Sequence, residues 1–100
     1  MYGRVAHLTT APEKRDAVIA ILLEGSKVIP GCLSYVVAQD STNPDAIWIT
    51  EVWDSQASHQ ASLSLPAVKE AISRARPLIV GFDKPIETVP VGGYGLHIAA

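Results

Sequence analysis

The sequence predicts an α+β domain in which one layer of helices covers one face of an antiparallel sheet. The chain has 100 residues, of which 48% are hydrophobic and 18% charged, so it can bury one core and is not typical of disorder. Strand and helix patterns follow in the order βαββαβ, which is typical of the ferredoxin-like two-layer sandwich. We expect one such domain over residues 1–90 and a glycine-containing C-terminal tail over residues 91–100.

The first strand is predicted over residues 2–9, with even-numbered side chains on one face and odd-numbered side chains, such as His7, on the other. Thr10 and Glu13 then form a capping-box pattern, which predicts that a helix begins close to Thr10. Apolar side chains recur at helical spacing until the Pro30-Gly31 pair, where we expect the helix to end.

The second and third strands are predicted over Leu33–Asp40 and Ala46–Trp53. The intervening residues 41–45 are Ser, Thr, Asn, Pro and Asp, the residue types that favour turns. We therefore expect the two strands to form an antiparallel hairpin.

A second helical region follows the hairpin. Asp54 or Ser55 is the predicted N-cap. The region is predicted to break near Pro66, with Ser64 as the cap of the next helix and Pro66 in its first turn. The last strand is predicted to begin at Leu78 and to continue toward Val89. With this strand the antiparallel sheet has four strands and the helices lie on one face.

The third strand carries large apolar side chains on both faces, Ile47, Ile49 and Trp53 on one and Trp48 and Val52 on the other. Helices can cover only one of these faces, and large exposed apolar patches are rare on monomers. We therefore expect a homodimer in which a second copy packs sheet against sheet. The alternative is an exposed sheet face that is slightly apolar.

Glu51 and His59 are the candidate catalytic residues. Glu51 lies in the middle of the third strand, where loss of water would raise the pKa of its carboxyl and make it a proton acceptor or donor. His59 lies four residues before Leu63 on the same helix face, and histidine transfers protons near neutral pH. The alternative for His59 is a hydrogen-bonded structural histidine. The alternatives for the carboxylate are a salt bridge to Arg4, Arg74 or Arg76 and exposure at the rim of a pocket.

Trp53 and His7 are the candidate substrate-binding residues. Trp53 shares a strand face with Glu51, so it can line the same pocket, although core packing is the usual role of a buried tryptophan. His7 either lines that cavity or caps the sheet. We expect no metal site, because the chain has the single cysteine Cys32 and no paired histidine spacing.

Composition excludes several classes of function. The formal net charge is −2, so no excess of basic residues is present to bind nucleic acid. The longest apolar run, residues 17–23, is far shorter than the ~20 residues that span a bilayer. No leader peptide is recognisable, and a single cysteine is simplest to explain in a reducing cytoplasm.

Two stretches of the chain, Pro30–Tyr35 and Ile49–Ser55, resemble the antibiotic biosynthesis monooxygenase family of dimeric α/β-barrel proteins. The tail segment Glu87–Gly93 is also similar to members of that family. The resemblance implies a ferredoxin-like dimer whose cavity binds a small aromatic substrate. It also implies oxidation of quinols, anthrones or related phenols by O₂ without metal or flavin cofactors, and Glu51 and Trp53 match the family's strand motif.

One position departs from the pattern of the family. Many members have a histidine about nine residues after the motif tryptophan, where this chain has Ser62, and His59 lies three residues earlier. Two hypotheses follow from this difference. The chain is either a small cofactor-independent monooxygenase, or a non-catalytic binding or regulatory domain that holds a small aromatic metabolite.

Overall fold

The computed structural model describes residues 1–96, which fold as a single antiparallel sheet with helices on one face. The strands and helices run in the order β1 (Tyr2–Thr10), α1 (Arg15–Gly25), β2 (Cys32–Gln39), β3 (Ala46–Trp53), α2 (Gln56–Ser62), α3 (Pro66–Ala75), a 3₁₀ turn (Arg76–Leu78), β4 (Ile79–Phe82) and β5 (Ile86–Thr88). The α+β class and the ferredoxin-like arrangement predicted from the sequence are confirmed.

The sheet has the strand order β2-β3-β1-β4, and β5 also pairs with β1. Both short strands lie along the edge of β1 that β3 leaves free, with β4 against Leu8–Thr10 and β5 against Gly3–Val5. The prediction of one continuous last strand is therefore wrong. The ladder is interrupted at Asp83–Pro85, between the pairs Leu8–Phe82 and Val5–Ile86, and Pro85 has no N–H to donate there.

The hydrophobic core lies between the sheet and α1. Val18 and Ile47 are fully buried, and Leu8 and Ile49 complete the same cluster. Each of these side chains occupies an alternate position of a strand or the inner face of α1, as the apolar pattern predicts. Burying one such side chain stabilises the fold by roughly 1.5–3 kcal/mol.

The start of α1 differs from the prediction. Lys14 occupies the N-cap without a side-chain hydrogen bond, and Glu13 has a left-handed φ of 67°. The predicted capping box is therefore wrong, because Glu13 lies outside the helix. Thr10 instead extends β1, where its N–H donates to the carbonyl of Asp45 and its hydroxyl donates to the carbonyl of Ala11.

The helix α2 begins where the sequence predicts, whereas the N-cap of α3 is Leu65 and not the predicted Ser64. Ser55 is the N-cap of α2, and its hydroxyl accepts a hydrogen bond from the N–H of Ser58 over 3.1 Å. Pro66 occupies the first turn of α3. At the contact of α1 with α3, a Cβ placed on Gly25 would lie 2.9 Å from the Cβ of Ala71, so the close approach depends on glycine.

The sheet face opposite the helices is exposed and apolar. Val36, Trp48 and Ile86 are 53%, 39% and 60% exposed. They lie on the face that carries the odd-numbered residues of β1. None of the helices within residues 1–96 has the length and hydropathy needed to cross a bilayer.

After β5, residues 89–96 contain no helix or strand, and the final part of the predicted tail, residues 97–100, lies outside the described residues. The division into a domain of residues 1–90 and a tail of residues 91–100 stays a prediction.

Candidate active site

A cavity of about 380 Å³ lies between the sheet and the three helices. Its size falls within the range of small-molecule sites in proteins, roughly 300–1,000 Å³. Most of its wall is apolar and includes Ala6, Leu8, Leu22, Ile49, Val68 and Ile72. The polar side chains Arg4, Glu51 and His59 contribute to the same wall, which gives an apolar chamber with a small group of titratable residues.

Glu51 is nearly buried on β3, with 9% of its surface exposed. Its Oε1 accepts a hydrogen bond over 3.0 Å from the indole N–H of Trp53, which stands on the same strand face two residues away. Burial raises the pKa of the Glu51 carboxyl, as the sequence predicts, although the Trp53 hydrogen bond and the charge of Arg4 oppose the increase. A desolvated carboxylate of this kind is a good proton acceptor.

Arg4 lies directly opposite Glu51 in the β1–β3 ladder, with 3.9 Å between Nε and Oε2. The Arg4 side chain is one quarter exposed, and its Nε is buried without a hydrogen-bond partner within residues 1–96. Of the three arginines predicted as possible salt-bridge partners of Glu51, Arg4 is the one that pairs with it. Arg74 pairs with Glu24 instead.

Arg4 is a site residue that was not predicted from the sequence. The sequence does contain a pattern that indicates this role. Arg4 is the one charged side chain among the even-numbered positions of β1, and the others are Tyr2, Ala6, Leu8 and Thr10. A cation on a strand face that is otherwise largely apolar is expected to have a specific partner.

His59 reaches the cavity from α2 and is 7% exposed. Its ring meets the indole of Trp53 edge-on at a centroid distance of 5.3 Å and lies 5.6 Å from the ring of Tyr2. Burial first, and then the positive charge of Arg4, lower the pKa of His59. The imidazole is therefore neutral at neutral pH, and its Nδ1 is buried without a hydrogen-bond partner in the described part of the chain.

Tyr35 is a second polar residue of the cavity wall that was not predicted from the sequence. It lies opposite Glu51 in the β2–β3 ladder and also lines the cavity. Burial and the charge of Glu51 raise the pKa of the Tyr35 phenol, so the hydroxyl remains protonated at all ordinary pH values. Tyr35 can therefore act as a neutral hydrogen-bond donor but not as a base.

His7 does not belong to this group. Its ring packs on Trp48 on the opposite face of the sheet at a centroid distance of 4.3 Å. Nδ1 lies 2.7 Å from Oδ2 of Asp83, and Nε2 lies 3.3 Å from Oδ2 of Asp40. The expectation that His7 lines the cavity is therefore wrong, because an odd-numbered residue of β1 points away from the helices.

Ser62 occupies the position nine residues after Trp53 and also lines the cavity. Its hydroxyl donates to the backbone carbonyl of His59 over 2.6 Å. Positions 59 and 62 of α2 therefore face the same chamber, and only His59 carries a group that can transfer a proton. Within residues 1–96, no group of three or more His, Cys, Asp or Glu side chains is arranged to hold a metal ion.

Comparison with known proteins agrees with the fold. The sequence profile of the family described as antibiotic biosynthesis monooxygenase matches residues 1–74. A crystal structure from Chloroflexus aurantiacus J-10-fl, described as a candidate antibiotic biosynthesis monooxygenase, is 61% identical and superposes with a TM-score of 0.93. The match covers 96% of this chain and 98% of that chain.

Two more distant proteins show how far the similarity extends. A structure from Deinococcus radiodurans with the same description shares the fold at 24% identity, with a TM-score of 0.77 and full coverage of both chains. An uncharacterised protein of Synechocystis is 27% identical over 84 residues, which are 81% of this chain and 55% of that protein. The chain therefore spans about half the length of the curated relative it matches.

Proposed function

This chain belongs to the antibiotic biosynthesis monooxygenase family, and we propose that it oxidises an electron-rich aromatic of the quinol or anthrone type with O₂, using no metal or flavin. The observation that carries the proposal is the composition of the cavity wall. A desolvated carboxylate and a neutral imidazole stand in an otherwise apolar chamber. A flat aromatic ring fits such walls, and its hydroxyl would meet the groups able to remove its proton.

The reaction needs no external reductant. Loss of a proton makes the substrate an anion that can donate an electron to O₂, and recombination of the two radicals forms a C–O bond. Release of water then leaves a new carbonyl on the ring. One oxygen atom of O₂ enters the product, the other leaves as water, and the substrate supplies all four electrons. The protein would bind the ring, accept the proton and exclude bulk water.

The roles of the site residues follow from their surroundings. Glu51 would accept the proton of the substrate hydroxyl, because burial raises the pKa of its carboxyl. His59 would assist as a second proton carrier, since it is neutral and nearly buried. Trp53 would bind the ring and hold the carboxylate in place through its indole N–H. His7 takes no part, because it lies on the other sheet face.

We also propose that the chain forms a homodimer through the open sheet face. The apolar side chains Val36, Trp48 and Ile86 are exposed on this face, and a second copy would bury them. A cytoplasmic location belongs to the same proposal, because Cys32 is a free thiol and free thiols persist in reducing compartments.

The test is oxygen consumption by the purified protein with a panel of quinols and anthrones. We expect uptake above the rate of autoxidation, with one O₂ consumed for each substrate oxidised. Glu51→Gln should lower kcat by about a hundredfold or more, the usual contribution of a general base. The control is Glu70→Gln on the exposed surface of α3, which should leave the rate unchanged. Uptake no faster than autoxidation across the panel would refute the proposal.

A non-catalytic binding domain is the second candidate, and one observation favours it. At the position where many family members have a histidine, the hydroxyl of Ser62 is bonded to a backbone carbonyl and presents no base to the cavity. A binding domain would show an increase in Tm with an aromatic ligand and no product. Multiple turnovers in the oxygen assay would eliminate this candidate.

A further inference from the structure

We propose that Arg4 binds the ionised oxygen of the aromatic ligand, exchanging its ion-pair partner from Glu51 to the ligand phenolate. The proposal takes its ligand class, a phenol, from the proposed function. In this proposal Arg4 stabilises the negative charge that develops on the ligand when its hydroxyl loses a proton.

The first argument is the unsatisfied guanidinium. A guanidinium carries five N–H donors, and the Nε–H of Arg4 is buried without an acceptor within residues 1–96. The carboxylate of Glu51 is 3.9 Å from Nε, which is too long for a hydrogen bond. Buried charged donors normally find a partner. The Arg4 side chain lines the cavity and is one quarter exposed, so the guanidinium can meet an acceptor that enters the chamber.

The second argument is the charge that surrounds Arg4. Glu51 on β3 and Glu87 on β5 flank it in the ladders, and the uncharged groups His59 and Tyr35 also line the chamber. Asp83 contributes to the wall as well, but its carboxylate is paired with His7. Among the acids of residues 1–96, Glu51 is the one that forms an ion pair with Arg4. The ion pair at the cavity is therefore one cation and one carboxylate, and Glu87 adds a negative charge that opposes the lowering of the pKa of His59.

The third argument is charge balance during proton transfer. If the ligand hydroxyl gives its proton to Glu51, the carboxyl becomes neutral and the ligand becomes an anion. Arg4 then keeps one negative partner before and after the transfer, and no net charge is created in the chamber. Because burial already favours the protonated form of Glu51, the transfer replaces a poorly solvated carboxylate with a phenolate beside the guanidinium.

An anaerobic spectroscopic titration tests this step without turnover. The probe is a nitrophenol, whose phenol and phenolate forms absorb at different wavelengths. With saturating wild-type protein, the bound probe should ionise at a lower pH than the free probe. Arg4→Met should abolish that shift and weaken phenolate binding by about tenfold to a hundredfold, the usual loss for a hydrogen bond to a charged group. Arg74→Met, which changes an exposed arginine of α3, should leave the titration unchanged.

Glu51→Gln separates anion binding from a merely structural role of Arg4. If Arg4 binds the phenolate, this variant should bind it at least as tightly as the wild type, because the competing carboxylate is gone. If Arg4 serves only to hold the carboxylate, Glu51→Gln and Arg4→Met should lose the shift equally, which would overturn the proposal.

Two controls, the variant Arg4→Lys and a non-ionisable probe, distinguish loss of anion binding from misfolding of the variant. The lysine variant should retain part of the shift, and the wild-type protein should bind the nitrophenol more tightly than its methyl ether at a pH where the bound phenol is ionised. Equal binding of the phenol and the ether, or no binding of either, would refute the role of Arg4. Because O₂ is absent, this result is separate from the oxygen-uptake assay: a protein that passes here and shows no uptake is a phenolate-binding domain and not a monooxygenase.

Discussion

Trp53 donates its indole N–H to Oε1 of Glu51 across 3.0 Å, and the two side chains stand on the same face of β3. This bond occupies one oxygen of the carboxylate. The other oxygen, Oε2, faces Arg4 across 3.9 Å. The reactivity of Glu51 is therefore set by a neighbour on its own strand and a neighbour on the adjacent strand.

Trp53→Phe should raise the pKa of Glu51 further, because the indole hydrogen bond lowers it in the native protein. Since the ionised carboxylate is the active base, the acidic limb of the rate–pH profile should move to higher pH. We also expect a loss of about 1–3 kcal/mol in the free energy of unfolding, measured by urea denaturation. Trp48→Phe on the opposite sheet face is the matched control, and an equal shift of its acidic limb would contradict the assignment.

His59 should make the protein less stable in weak acid. Its pKa is lowered in the folded state, so above the ordinary value of 6.5 the ring is neutral in both states and the fold is not penalised. As the pH falls below 6.5, the unfolded chain gains the proton first, and stability declines until the folded pKa is reached. The fall in Tm between pH 7.5 and pH 5 should therefore be smaller in His59→Phe than in the wild type. Identical falls would show that another group controls the transition.

Asp40→Asn should loosen the β2–β3 turn. One carboxylate oxygen accepts from the N–H groups of Thr42 and Asn43, and the other accepts from the indole of Trp48. These hydrogen bonds lower the pKa of Asp40, so its contribution to stability is present above the unfolded value of 3.8 and is lost as the pH falls toward the lower folded value.

The urea midpoint of Asp40→Asn should accordingly be lower than that of the wild type at pH 7, and the difference should shrink below pH 3.8. Asp16→Asn, in the first turn of α1, is the control for the loss of one surface carboxylate. A difference that stays constant down to the lowest pH would argue against the role of the Asp40 charge.

Val36→Glu should convert the proposed dimer into a monomer. The side chain is 53% exposed at the centre of β2 on the open sheet face, and a buried unpaired carboxylate at that contact would be costly. Sedimentation equilibrium should give twice 10.7 kDa for the wild type and a mass close to 10.7 kDa for the variant. Leu23→Glu, at an exposed position of α1, should leave the dimer intact. A wild-type protein that sediments as a monomer would contradict the proposed interface.

The regular parts of the fold could be predicted from local patterns. The bounds of β3 agree with the prediction, because its run of β-branched and aromatic residues is preceded by the turn residues 41–45 and followed by the helix cap Ser55. Ser55 could be predicted as a cap of α2, because its hydroxyl can accept a hydrogen bond from a free N–H of the first helical turn. The start of α1 could not be predicted, because Thr10 is held in β1 by the distant carbonyl of Asp45, and that contact overrides the local capping signal.

Part of the candidate site could also be predicted from a local pattern. Alternation alone places Glu51 and Trp53 together on one face of β3, and the cavity confirms that placement. Pairing between strands is required to bring Arg4 opposite Glu51, and a single strand does not show which of its faces the helices cover. His7 therefore had two possible positions in the sequence prediction, and the structure places it away from the cavity, beside Trp48.

The interruption between β4 and β5 has a consequence for how copies of the chain meet. A foreign strand that approached this edge would find segments of only four and three residues, separated by a proline. Short edge strands interrupted by a proline are poor templates for pairing with a strand of another molecule, so they disfavour amyloid-like growth. The β4–β5 edge of the sheet therefore disfavours aggregation through intermolecular strand pairing.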